Sequence, residues 1–66
     1  MEKYLEVLCK FNFGEDWFPL YKVFYDDQSV TLDMAKNHCV EYIRQYRANH
    51  KRAEFKIKDE TGKVID

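Results

Sequence analysis

The sequence predicts an α+β two-layer sandwich in the order β-β-α-β, with an optional last β, in which one helix packs on one face of a small antiparallel sheet. Three observations carry that prediction. Leu5, Val7, Cys9, Phe11 and Phe13 form an apolar row at every second position. Residues 32–48 repeat apolar side chains at helical spacing. Residues 53–65, AEFKIKDETGKVI, alternate apolar and charged side chains and then turn. A period of two marks a strand with one dry and one wet face, and a period near 3.6 marks an amphipathic helix.

All 66 residues form one small domain, 1–66. A chain of this length buries only about 60% of its unfolded surface, so its core needs dense apolar material. Five Phe, five Tyr and one Trp supply it, each ring hiding roughly 150–250 Å². These are more aromatics than one small core holds. The surplus either faces a partner or lies half covered at the surface.

The first strand spans 3–13, with Tyr4, Glu6, Leu8, Lys10 and Asn12 on its reverse face. Gly14-Glu15-Asp16 breaks it, because Gly tolerates positive φ and Asp favours turns. The second strand is 17–25, WFPLYKVFY. Pro19 cannot donate to a ladder, which places it before the regular part or on an open edge. Tyr21, Val23 and Tyr25 match the inner row of the first strand, because Lys22 prefers water. That register sends Leu20, Lys22 and Phe24 to the outer face with Leu8.

Asp26-Asp27-Gln28-Ser29 separates strand from helix. Thr31 is a good N-cap, and Asp33 meets the positive helix end. Leu32, Ala35, Cys39, Ile43 and Tyr46 gather on one stripe, with Tyr42 on its flank. Arg44, Arg47, His50, Lys51 and Arg52 cluster at the far end, where cations suit the dipole. Asn49 is expected to close the helix in a left-handed conformation. A third strand occupies 53–58, and 63–65 returns along it as the optional fourth.

Little in the chain reads as chemistry. Structural zinc wants four ligands in close pairs. Here His38-Cys39, His50 and Asp26-Asp27 are scattered, and no C-x₂-C pair exists, so no metal is expected. Cys39 falls on the core stripe, and so does not read as an activated thiol. Cys9 also points inward, and the pair reads as buried thiols of a cytosolic chain. A disulfide between them requires Cα atoms within about 7 Å. The acid pairs Glu15-Asp16, Asp26-Asp27 and Asp59-Glu60 all fall in turns, whereas acid–base catalysis needs carboxylates in a cleft. The two Gly lie 48 residues apart, too far for a phosphate loop. We expect a non-enzyme with no cofactor and no small-molecule substrate. Met1-Glu2-Lys3-Tyr4-Leu5-Glu6 is too charged for an export signal, and no apolar run approaches membrane length. A cytoplasmic protein is expected.

Two functional readings remain. The first is a protein–protein interaction module, a homodimer or a binder of one host protein. Its surface is the open sheet face, with Tyr4, Leu8, Leu20 and Phe24. Trp17 and Phe18 beside the turn are aromatic anchors, and strand addition at an open edge is a second route. The alternative is a nucleic-acid-binding domain. It would use Arg44, Arg47, Lys51, Arg52, Lys56 and Lys58, with Tyr42 and Tyr46 nearby for stacking. The net charge of −1 lacks the basic footprint usual for that class. The charge is uneven, however: residues 1–33 carry a net of −4 and residues 34–66 a net of +3.

In length and β-β-α-β layout the chain resembles short proteins encoded by phages and other mobile elements. That resemblance implies a protein that binds one host protein and alters it. It rests on layout alone, so it assigns no role to any residue.

Overall fold

The computed structural model describes residues 2–11 and 16–65. Asn12 and Phe13 of the expected first strand, and Gly14 and Glu15 of the expected break, lie outside the described residues. Four elements run in the order strand, strand, helix, strand. They are β1 (Lys3–Lys10), β2 (Phe18–Tyr25), α1 (Leu32–Asn49) and β3 (Glu54–Asp59). The three strands form one antiparallel sheet in the order β2-β1-β3, and α1 packs across it on β2 and β1. The small α+β sandwich read from the sequence is the fold observed.

The most apolar strand takes the middle place. Leu5, Val7, Leu8 and Cys9 of β1 are all buried, which an edge strand with one wet face could not achieve. Leu5, Val7, Ala35, Cys39 and Ile57 form the core cluster. No aromatic residue is fully buried among the described residues. The rings instead form a collar around an aliphatic centre: Tyr21, Tyr25 and Phe55 pack against it from outside.

The register of β2 holds for half its length. Tyr25, Val23 and Tyr21 lie opposite Lys3, Leu5 and Val7, on the expected inner face. Between Val7 and Leu8 the pairing then slips, because Leu8 meets Pro19 and Cys9 meets Phe18. Leu20 is the extra residue of a β-bulge, which bends the strand and shifts the phase of pairing on its far side. The expected outer position of Leu20 is therefore corrected: it packs against the core. Pro19 sits beside this bulge on an edge strand, where its missing N–H is tolerated.

Two aspartate-built turns hold the strand ends. The Asp26 carboxylate accepts from the N–H groups of Gln28, Ser29 and Val30 at 2.9, 2.9 and 3.2 Å, and from the Ser29 hydroxyl at 3.0 Å. These donors pull its pKa down to about 2. Asp27 takes a positive φ of 65°, a conformation Asp tolerates better than most residues, and its carboxylate meets Lys3 Nζ at 2.8 Å. Asp59 plays the same part in the last turn. Its Oδ1 accepts from the Thr61 N–H, the Thr61 hydroxyl and the Lys63 N–H, and Gly62 supplies φ +89°. The tail then returns along β3. Asp59 N–H donates to Lys63 C=O and Ile65 N–H to Ile57 C=O, both at 2.9 Å. The expected fourth strand is thus a single bridge, Lys58 to Val64.

Thr31 caps α1 as expected, its hydroxyl accepting from the Met34 N–H at 3.2 Å. The other end differs. Asn49 stays within the helix, and His50 ends it at φ −138° while donating its N–H to Arg47 C=O. No left-handed residue is needed there, because the chain leaves through a turn in which Ala53 N–H donates to His50 C=O.

Candidate protein-binding surfaces

Among the described residues the sheet has one helical layer, and no described element covers its outer face. Alternation along the strands puts Tyr4, Glu6, Leu8 and Lys10 there from β1, with Lys22 and Phe24 from β2 and Glu54, Lys56 and Lys58 from β3. Two clusters of rings and ammonium groups occupy it. In the first, Tyr4 and Phe24 meet edge to face at 5.6 Å, and Lys22 Nζ lies 4.3 Å from the Tyr4 ring centre. In the second, the Trp17 ring lies 4.2 Å from Lys56 Nζ and 5.6 Å from Lys10 Nζ. A cation over an aromatic face is attracted by the ring quadrupole, which orders both partners without removing the charge.

This arrangement divides the interface residues read from the sequence. Tyr4 and Phe24 share one patch, and Phe24 is 52% exposed. Trp17 anchors a second patch on the same face. Leu8 is corrected: it is only 8% exposed, since it lies in the central strand between Pro19 and Lys56. Leu20 is lost to the core through the bulge. Phe18 lies opposite inward-facing Cys9 and packs on Phe11 at 5.7 Å, so it closes one end of the sheet's inner side.

The basic set is spread over both sides of the sheet. Arg44 is held by Glu41 through two contacts of 2.8 Å, which raises the arginine's pKa and lowers the glutamate's. The Arg47 guanidinium lies 5.1 Å from the Phe55 ring centre. Lys51 and Arg52 are exposed in the turn between α1 and β3. Lys56 and Lys58 belong to the outer-face row of β3, and Lys56 also borders the helical-side groove with Arg44 and Arg47. The set is therefore joined at Lys56, while Lys58 lies on the outer face and Lys51 and Arg52 lie in the turn.

A second surface lies on the helical side. α1 packs more closely on β2 and β1 than on β3, which it meets through Tyr46 and Arg47 at Phe55. Beside that contact lies a groove of about 410 Å³ lined by Val40, Ile43, Arg44, Arg47, Phe55, Lys56 and Ile57. Its floor is apolar, and Val40 is 48% exposed. Sequence reasoning passed over this groove. A signal existed: Val40 is an apolar residue one position, about 100°, off the core stripe, with nothing in the sequence to cover it.

Cys9 and Cys39 are both free and buried, and burial pushes the Cys39 thiol up to about 11. It is therefore protonated at neutral pH. Among the described residues no group of three or more His, Cys, Asp or Glu comes together to hold a metal, and no helix is long and apolar enough to cross a membrane. The chain matches no protein-family model, no curated protein and no solved structure.

Proposed function

We propose that this chain is a non-catalytic, cytoplasmic interaction module that binds one partner protein through the uncovered face of its sheet. The observation behind this reading is the pair of ring–ammonium clusters, Tyr4–Phe24–Lys22 and Trp17–Lys56–Lys10, on one face. Trp and Tyr are residues that binding hot spots favour, and the lysines beside them supply charge that steers a partner. Four lysines against two glutamates leave this face net positive, so the complementary partner is acidic and partly apolar. A second copy of the same face would bring like charge to like, which favours a different protein over a homodimer. Two buried free thiols fit a reducing compartment. A host protein altered by occlusion is the mode of action that agrees with the layout of mobile-element proteins.

Amine-reactive cross-linking in extract of the encoding organism tests the proposal. Cross-links to one protein are expected at Lys10, Lys22, Lys56 and Lys58, and Phe24→Asp should abolish them while the fold survives. Cross-links concentrated at Lys36, Lys51 and Lys63 would refute it. The nucleic-acid reading keeps one supporting observation, because the same lysines and rings could follow a phosphate backbone and stack on bases. Retention of mixed-sequence DNA or RNA that fades steeply with added salt would favour that reading instead.

A further inference from the structure

The groove between α1 and β3 runs beside a strand edge that is only half used. β3 lies at one side of the sheet, with β1 on its other flank. Ile57 C=O and Asp59 N–H both bond to the returning tail, through Ile65 and Lys63. Backbone groups alternate sides along a strand, so the odd-numbered residues of β3 direct their N–H and C=O groups away from β1. The Ile57 N–H and both backbone groups of Phe55 therefore face the same open side. Among the described residues, no hydrogen bond takes any of the three. The edge accepts a strand at Ile57–Asp59, because the chain's own tail already lies there. One step further along, at Phe55, no described residue pairs with the same edge, which opens into the groove.

We propose that this edge and groove form a docking site for an extended acidic segment of another protein. The segment adds to β3 as a strand, in line with the space that residues 63–65 fill beside Ile57–Asp59. Side chains of an added strand alternate between the two sheet faces. Those on the helical side enter the groove against Val40, Ile43 and Phe55, so they are apolar. Those on the other side pass beside the row that carries Lys56 and Lys58, so they are acidic. Arg47 adds a further cation at the rim, where it lies over Phe55 and has no carboxylate within ion-pair distance among the described residues. The site thus selects alternating apolar and acidic residues; it shares Lys56 with the outer sheet face but not the Tyr4–Phe24–Lys22 cluster.

The probe is the capped peptide Glu-Val-Glu-Val-Glu, followed by amide resonances of the ¹⁵N-labelled full chain. The largest shifts are expected at Phe55, Ile57, Val40 and Ile43, with slowed hydrogen exchange at the Phe55 and Ile57 amides. Methylating the peptide nitrogens that face β3 should weaken binding by at least about tenfold, whereas methylating the alternate nitrogens should not. Arg47→Glu should also weaken it by about tenfold without altering the fold, and Lys-Val-Lys-Val-Lys should not bind. Neither peptide modification touches the protein, so misfolding cannot imitate the result. The proposal is overturned by shifts confined to Tyr4, Lys22 and Phe24, by equal effects of the two methylation patterns, or by no shift up to about 1 mM peptide.

Discussion

The helix has two flanks, and they are finished to different degrees. Toward β2 the space is filled by Tyr21 stacked on Tyr42 at 4.4 Å, and at the helix end Tyr46 stacks on His50 at 4.2 Å while meeting Phe55 of β3 edge-on at 5.8 Å. The row continues through His50 to Phe11 and Phe18, at 5.7 Å each step. Toward β3 the corresponding space is the groove, with Val40 half in water. One small helix cannot cover a three-stranded sheet about 14 Å wide, given strand spacings near 4.8 Å and a helix some 10 Å across. It settles over the strands that offer the more apolar partners. The closed flank stabilises, and the open flank is left to interact.

Both flanks share the floor made by β1, and the largest expected effect lies there. Leu5 is fully buried in the core cluster, so Leu5→Ala should cost about 2–5 kcal/mol in urea unfolding. A loss under about 1 kcal/mol would mean that this floor is not the core, and the contrast between flanks would lose its basis.

Next in size is the closed flank itself. Tyr42→Ala removes the stacked partner of Tyr21 and should cost about 1–3 kcal/mol. A double-mutant cycle with Tyr21→Ala should show a coupling of about 0.5–1.5 kcal/mol. Additive losses would show that the stacked pair contributes only its separate burial.

These elements differed in how far the sequence disclosed them. Leu5, Val7, Cys9, Ala35, Cys39 and Ile57 were legible because burial at a fixed period writes itself into residue type. Thr31 and the turns at Asp26 and Asp59 were legible because a side-chain oxygen serves local N–H groups, an interaction confined to a few residues. The Leu20 bulge was not legible. Pro19 hinted at an irregularity, but its effect on phase depends on which β1 residue it meets. The burial of Leu8 depended on β1 becoming the central strand, a fact of sheet order that no local pattern carries. The groove arose from where the helix came to rest.

On the open flank the expected effects are small, and there the contrast is sharpest. Val40→Ala should change stability by no more than about 0.5 kcal/mol, because its side chain faces the groove and water. Val40→Phe has room to lie in the groove and should leave Tm unchanged or raise it. The same enlargement at fully buried Ala35, as Ala35→Leu, overpacks the core and should cost about 1–3 kcal/mol. If Val40→Phe destabilises as much as Ala35→Leu, the groove is closed in solution and the two flanks are alike.

The last effect is read as a pH dependence and concerns the turn that delivers the closed flank. Asp26 ends the chain's run through β2 and, by collecting the N–H groups of Gln28, Ser29 and Val30, aims it into α1. Those donors favour the charged carboxylate, so its pKa falls from an ordinary 3.8 to about 2 in the folded protein. A group depressed on folding contributes stability above its unfolded pKa and loses it as pH falls through the folded value. The contribution of Asp26 is therefore complete above pH ~4 and disappears on acidification toward pH ~2. Asp59 and Glu41 are lowered too, so the acid limb is shared. Asp26→Asn keeps an acceptor but has no proton to gain, so its Tm should start lower than wild type at neutral pH and fall less steeply through this window. Parallel Tm–pH curves for the two proteins would remove Asp26 from the account. The entry of the chain into the closed flank would then rest on ring stacking and the Thr31 cap.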